Sequence, residues 1–595
     1  MSFPDLETLL TVPHVDPYRG FDISPDGEYA AFSWNVTGRW EIYEVPLQRD
    51  GEPRRVTDGP GGKFAPRYGP DGERMAYALD LDGSESFDAC VLDRAAGRAV
   101  NVTRELEGAL QPNLSWSPDG EQLAVISQQS GRFNTYIIPS EGGPERLVLD
   151  LPHPDWDVCW SPDGSHLAVC TETTAQDYGI FVVPVKGGEA VQIATAEGPI
   201  NAQGPAWAPD GGRLAFASDV HGTYDIGIYD LGRRQVAWRT RSGGDDLAPH
   251  WAPAGDSLTF VRRQRTTTSL CVSGDNGLES FRVAAGIHHL PRFTPDGEHV
   301  VFVFDNPAHP PDLWMLGLSD GGMRALTESL PEALVGMAFT MPSEVGYPGM
   351  DGEIVPGLLY RPPDADRPAP AVVVIHGGPS WLSQVTWAPE IQAFVSRGWV
   401  VLAPNYRGSI GYGRTWQLAN RFDLGGVDTR DVTAGADYLV REGLADPERI
   451  GVTGRSHGGY LTMTCLTQYP DRWAAGSAVV PFLNWFTSHE NARRDLQHWD
   501  IENMGDPEEN RDLWHERSPF FFLDQVEAPV QLISGGNDPR CPASESIEAR
   551  DALTALGKPV ELHLYPEEGH QFLKRENLLD AERRRVDFLT RALED

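Results

Sequence analysis

Lysine is almost missing from this chain: four residues stand against 45 arginines in a length of 595. A GC-rich genome or a salty habitat would each produce that bias. All basic residues together number 49 against 86 acidic ones, a formal charge of −37. Such an excess of carboxylates excludes nucleic acid and anionic membrane surfaces as natural partners, because both repel it. Cysteine is scarce too. Cys90, Cys159, Cys170, Cys271, Cys465 and Cys541 are scattered without C-x-x-C spacing. That spacing predicts neither a zinc site nor a disulfide framework, and it predicts reduced thiols in a cytoplasmic protein. Long apolar runs are absent: no stretch approaches the roughly 18–20 uninterrupted apolar residues of a membrane helix. The opening "MSFPDLETLL" has no basic n-region and no long apolar core, so no secretory signal is expected.

What is present is material for folded cores: 40% apolar residues and 17 tryptophans. The length calls for two or more domains. The first half repeats itself. "ISPDGEYAAF", "YGPDGERMAY", "WSPDGEQLAV", "WSPDGSHLAV", "WAPDGGRLAF", "WAPAGDSLTF" and "FTPDGEHVVF" follow one another, with prolines at 25, 70, 118, 162, 209, 253 and 295. A period in the forties with short strands signals propeller blades. Within one unit, "NLSWSPDGEQLAVIS", apolar residues alternate on both sides of a Pro-Asp-Gly turn, which reads as a hairpin. Two further strand-like runs, "FNTYIIPS" and "PERLVLD", complete four strands. Seven such units predict a seven-bladed β-propeller over residues 18–329. Each unit is complete within its own stretch, so the first and last blades are expected to meet without a shared strand.

Composition changes near residue 330. "APAVVVIHGGP", "GWVVLAPNYRG", "RIGVTG", "PVQLISGGND" and "VELHLYP" carry short continuous apolar runs, as in strands buried on both faces. Helix-like stretches such as "VDTRDVTAGADYLVREG" and "SESIEARDALTALG" lie between them. The alternation predicts an α/β domain with a mostly parallel sheet over residues 330–595. The N-terminal segment, residues 1–17, holds "DLETLL", a helix expected to pack back on this domain.

Within that domain "RIGVTG" runs into Ser456, and "GGYLTMTCLTQY" reads as a helix after it. Strand, tight turn and helix around G-x-S-x-G are the context of a nucleophile elbow. A serine hydroxyl needs a base, and the base needs an orienting acid, in the chain order Ser, acid, His. Asp538 follows one apolar strand and His570 follows the last, so both fall at the sheet edge that carries Ser456. Asp506, His515 and His563 compete, and His563 reads as a strand residue. The oxyanion calls for the backbone N–H of His457 and a second donor from a loop after an early strand, here "IHGGP".

"HGGP", "NYRGSIGYG", "GRSHGGY", "NDPRCP" and "EEGH", in this order after a seven-unit propeller, resemble the prolyl oligopeptidase family of serine peptidases over nearly the whole chain. "GRSHGG" followed by "QYP" looks most like its acylaminoacyl peptidase branch. The resemblance implies an α/β-hydrolase domain and an enclosed active site that admits short peptides. It also implies a second oxyanion donor at the Gly378 amide. The family's paired propeller glutamates, which hold a free amine in dipeptidyl peptidases, have no counterpart. Adjacent glutamates occur only at Glu508–Glu509 and Glu567–Glu568, outside the propeller. Family placement of the S1 pocket points to "VVPFLNWF", with Phe482, Trp485 and Phe486 either lining an apolar pocket or filling the core. Arg262, Arg263, Arg265, Arg493 and Arg494 either bind a substrate carboxylate or sit on a solvated face. The expected activity is a serine peptidase on short peptides, with no metal or organic cofactor. A homo-oligomer is compatible with the sequence. The alternatives are an esterase on the same triad and a propeller interaction module with an inactive hydrolase domain.

Overall fold

The computed structural model describes residues 4–48, 51–106, 108–174, 176–274, 277–362 and 368–594. Contacts divide the chain into two compact units. One comprises Pro13–Leu81 and Glu85–Leu330; the other comprises Met1–Val12, Asp82–Ser84 and Pro331–Asp595.

The first unit contains seven four-stranded antiparallel sheets, each built from strands consecutive in sequence. The third blade is representative: Leu110–Trp116, Gln122–Ser127, Asn134–Pro139 and Arg146–Leu147. Its first turn follows from its residues. The Gly120 N–H bonds the Ser117 carbonyl at 2.9 Å, and Gly120 takes φ +72. The Asp119 carboxylate accepts from Ser117 Oγ at 2.6 Å and from the Glu121 N–H at 3.0 Å. Where glycine or alanine replaces that serine, an arginine takes over the aspartate: Arg74 pairs with Asp71 and Arg213 with Asp210.

Three neighbouring pairs of blades are tied by the tryptophan before a turn. Trp116, Trp207 and Trp251 donate indole N–H bonds to the carbonyls of Arg67, Cys159 and Ala206 on the preceding blade, at 3.0–3.2 Å. Among the described residues, blades 7 and 1 share no strand. Their seam is an apolar cluster that includes Phe21, Phe32, Val301, Val303 and Leu313. It is closed by bonds from Trp34 Nε1 to Ser329 Oγ and from Arg324 to the Leu47 carbonyl.

Residues 13–17, expected in the N-terminal segment, pair with the ring instead. Val15 bridges Trp34 and donates to the Pro311 carbonyl, and the Asp16 N–H bonds Ser33.

The second unit is built on an eight-stranded sheet: β1 (Ser343–Pro348), β2 (Ile354–Tyr360), β3 (Ala369–Ile375), β4 (Val400–Pro404), β5 (Ala445–Arg455), β6 (Ala475–Val479), β7 (Val530–Gly535) and β8 (Val560–Tyr565). The order is β1-β2-β4-β3-β5-β6-β7-β8, parallel from β4 onward and antiparallel at β1 and β2. The continuous apolar runs serve both faces at once. On β3, Ala371, Val373 and Ile375 enter one core while Val372 enters the other. Helix α1 (Leu6–Thr11) buries Leu6 and Leu9 in the second core beside α2 (Pro389–Ser396) and the last helix, Arg575–Glu594. The Asp5 carboxylate caps α1 by accepting the Thr8 N–H at 3.0 Å. Among the described residues no helix is long and apolar enough to cross a membrane.

Candidate active site

Strand β5 ends at Arg455, and the helix His457–Gln468 begins two residues later. Ser456 is the hinge between them, at φ +60 and ψ −124. A side chain in that backbone region stores on the order of 1–3 kcal/mol of strain. Two glycines make the turn feasible. A Cβ on Gly454 would lie 2.5 Å from the Gly458 carbonyl, and one on Gly458 would lie 2.2 Å from the Ile375 carbonyl. The Ser456 N–H is held by the Val479 carbonyl of β6 at 2.9 Å.

Asp538 lies three residues past β7 and His570 five past β8. The two meet: His570 Nδ1 is 2.8 Å from Asp538 Oδ2. The other carboxylate oxygen accepts the N–H groups of Arg540 and Cys541 at 2.8 and 2.9 Å. Both side chains are buried. Their loops are tied to each other, because the Asn537 N–H donates to the Glu568 carbonyl at 2.8 Å. Glu568 in turn accepts the Leu573 N–H at 2.6 Å. The competing residues have other duties. Asp506 accepts the Glu508 N–H in an exposed turn, His515 stacks on Phe521, and His563 sits in β8 opposite Ile533.

The partners of three features of this region were not legible in the sequence. Arg455 reaches past the serine, and its Nη1 donates to the His570 carbonyl at 2.9 Å, with the guanidinium over the Phe572 ring. Burial lowers its pKa, offset by the carboxylates of Glu582, Glu390 and Asp538. Cys541 is buried with its thiol in reach of the Ser456 hydroxyl. Residues 82–84 reach the aspartate loop, where the Asp82 carbonyl accepts from Asn537 Nδ2. D-x-x-C spacing and an arginine inside G-x-S-x-G are the only traces these features leave in the sequence.

The "HGGP" loop follows β3. Gly377 lies against Ser456, so that a Cβ there would stand 3.3 Å from the serine Cβ. His376 Nδ1 bonds the Gly377 carbonyl at 2.7 Å, and its ring stacks on Tyr406 at 4.3 Å. Burial pushes the His376 imidazole down to about 3, so it is neutral at physiological pH. With the Gly377 carbonyl turned toward His376, the Gly378 N–H of the same planar trans peptide points the opposite way. His457 is the first residue of its helix, where no intrahelical carbonyl can take its N–H. Its buried side chain faces Asp428, 3.3 Å away.

Phe482 stacks on Tyr460 at 4.4 Å and lies 6.2 Å from the His457 ring. Trp485 is fully buried and donates its indole N–H to Tyr460. Phe486 is half-buried against Trp514 and Phe521. Of the arginines, Arg262 is paired with Asp246 and Arg493 with Asp495, and Arg263 stands opposite Asp245. Arg494 is exposed at the start of a helix.

Residues 385–595 match the model of the prolyl oligopeptidase family, and residues 85–278 match that of the TolB beta propeller domain. Dipeptidyl-peptidase 5 of Porphyromonas endodontalis is 25% identical over 96% of this chain and 92% of its own length. The acylamino-acid-releasing enzyme of Rattus norvegicus is 29% identical over 54% of this chain and 46% of its own length. A puromycin-hydrolyzing peptidase of Mycobacterium tuberculosis has the same fold, with a TM-score of 0.87 at 20% identity, covering 100% of this chain and 97% of that one. With residues 385–595 matched to the prolyl oligopeptidase family, a propeller match before them and peptidase relatives aligned along the chain, this protein is a serine-type peptidase similar to that family.

Proposed function

We propose that this serine peptidase cleaves short peptides, acyl-capped ones above all, with Ser456, His570 and Asp538 as its triad. The Ser456 hydroxyl attacks the scissile carbonyl, and His570 takes the proton and returns it to the leaving amine. Asp538 fixes the tautomer and orientation of the ring. The N–H groups of His457 and Gly378 receive the oxyanion. The observation that carries this reading is the strained Ser456 hinge beside a buried Asp538–His570 pair at 2.8 Å. Phe482 supplies a wall of the S1 pocket and Phe486 its rim, while Trp485, buried and bonded to Tyr460, forms the floor. The acylaminoacyl preference is supported by "GRSHGG" with "QYP", and by the lack of adjacent glutamates in the propeller. Six unpaired cysteines support a reducing, cytoplasmic setting.

A fluorophosphonate probe should label the protein and fail on Ser456→Ala, with kcat lowered by roughly 10⁶-fold. Asp538→Asn should lower kcat by about 10⁴-fold through the wrong imidazole tautomer. Labelling that survives Ser456→Ala would place the nucleophile elsewhere. A library of acetylated and free-amine peptides of rising length then reads the substrate class. Faster turnover of free-amine dipeptide units would overturn the acyl preference, and rapid internal cleavage of unfolded casein would overturn the size limit.

A further inference from the structure

The geometry points to a second ligand for this loop cluster: we infer that Asp538, Cys541 and His570 bind a thiophilic divalent cation of the zinc type, and that its binding switches the peptidase off. One ligand atom from each residue lies within 4.8 Å of the others. The three are 8%, 4% and 4% exposed. Bonds of 2.0–2.3 Å to zinc put tetrahedral ligands roughly 3.3–3.8 Å apart, so the site closes by small rotamer shifts. The framework is rigid where it must be. The N–H of Cys541 holds the Asp538 carboxylate at 2.9 Å, fixing the D-x-x-C turn, and His570 arrives from the neighbouring loop.

Carboxylate, thiol and imidazole form a borderline-soft donor set that suits zinc and its congeners, whereas magnesium and calcium take oxygen ligands. A second trio, Asp296, Glu298 and His299, lies in the exposed turn of blade 7, where the Asp296 carboxylate already accepts from Thr294 and Glu298. The buried trio offers a sulfur as well, whose thiol lies in reach of the Ser456 hydroxyl. Binding then exchanges one S–H bond for one S–metal bond and releases the proton to solvent; nothing is oxidised or reduced. The buried carboxylate gains a counter-charge in the same step.

The inhibitory consequence rests on the triad reading above, because the cation occupies Asp538 and His570; the binding itself does not. Cobalt(II) separates the two. Added to the full-length protein, it should give a thiolate-to-metal charge-transfer band that zinc displaces and that is missing in Cys541→Ser and Cys541→Ala. The inactive Ser456→Ala should keep the band. Zinc should inhibit the wild type reversibly, with EDTA restoring turnover. Cys541→Ser, normalised to its own metal-free rate, should need at least ~10-fold more zinc, a lost ligand mattering at least as much as a lost outer partner. No band in the wild type, or an equal band in both Cys541 variants, overturns the site. A band with undiminished peptidase activity keeps the site and overturns the triad reading.

Discussion

Arg455 is where a single side chain couples the serine turn to the His570 loop. It stands one residue before the hinge serine and holds the carbonyl of His570 from below. On the triad proposed above its role is positioning, since it bonds the His570 carbonyl rather than the imidazole. Arg455→Met keeps the length and loses the donor. A hydrogen bond from a charged group is worth roughly 1.5–3 kcal/mol. The variant should therefore lose about 10–100-fold in kcat with KM little changed, and Arg455→Lys should recover part of it. A loss confined to KM, or one matched by global unfolding in a thermal melt, would mean that the arginine acts elsewhere. The triad candidates were legible because the chain order and strand ends allow few choices. Arg455 and Cys541 were not, because their partners lie across space: 115 residues separate Arg455 from the carbonyl it holds.

The blade is the element in which sequence and structure agree most closely, and it carries a device that the turn motif hides. In four blades an acid of the third strand is bonded by a threonine that follows the fourth: Glu41 with Thr57, Asp88 with Thr103, Asp225 with Thr240 and Asp312 with Thr327. Each threonine hydroxyl donates to the acid and accepts the N–H of the next residue, as Leu313 does with Thr327. Thr327→Val removes both bonds from a buried site and should cost about 1–3 kcal/mol in urea unfolding of the ring. A cost near zero would mean that water fills the gap. Burial pushes the Asp312 carboxyl up to about 7 despite its bonds to Thr327 and Ser329, and Asp155 up to about 7 as well. An unfolded chain titrates its aspartates near 3.9, so the folded state holds these protons more tightly. The stability they contribute is full below about pH 4 and is lost as pH rises through about 7. Thermal melts should show Tm falling between about pH 4 and 7 and levelling off above that, with a shallower fall in Asp312→Asn. An unchanged slope would assign the effect to other groups. Elements that broke the periodic rules were missed. Strands β1 and β2 carry Gly346, Pro356 and Gly357 in place of an apolar run, and the helices between residues 485 and 516 are short and half-buried.

For the molecule as a whole, the order of domains was legible from the change in repeat grammar near residue 330. The excursion of residues 82–84 was not, since a three-residue loop has no periodicity to read. Charge was legible from the first count, and it has a consequence for substrate choice. A formal charge of −37 surrounds the chain with a negative field, and only four lysines stand among its cations. Such a field raises the local concentration of cationic ligands and lowers that of anionic ones, by on the order of 10–10³-fold in encounter rate. Salt removes it, because the screening length falls from about 30 Å at 0.01 M to about 3 Å at 1 M. Two peptides that share the residues at the cleaved bond and differ only in distal lysines or glutamates therefore test it cleanly. At low salt kcat/KM should favour the lysine peptide by about 10-fold. At high salt the ratio should shrink to within about 2-fold, with kcat changing little for either peptide, since steering acts on encounter rather than on the chemical step. A preference that persists unchanged at high salt would instead locate an ion pair in the bound complex, with a carboxylate of the site as its partner.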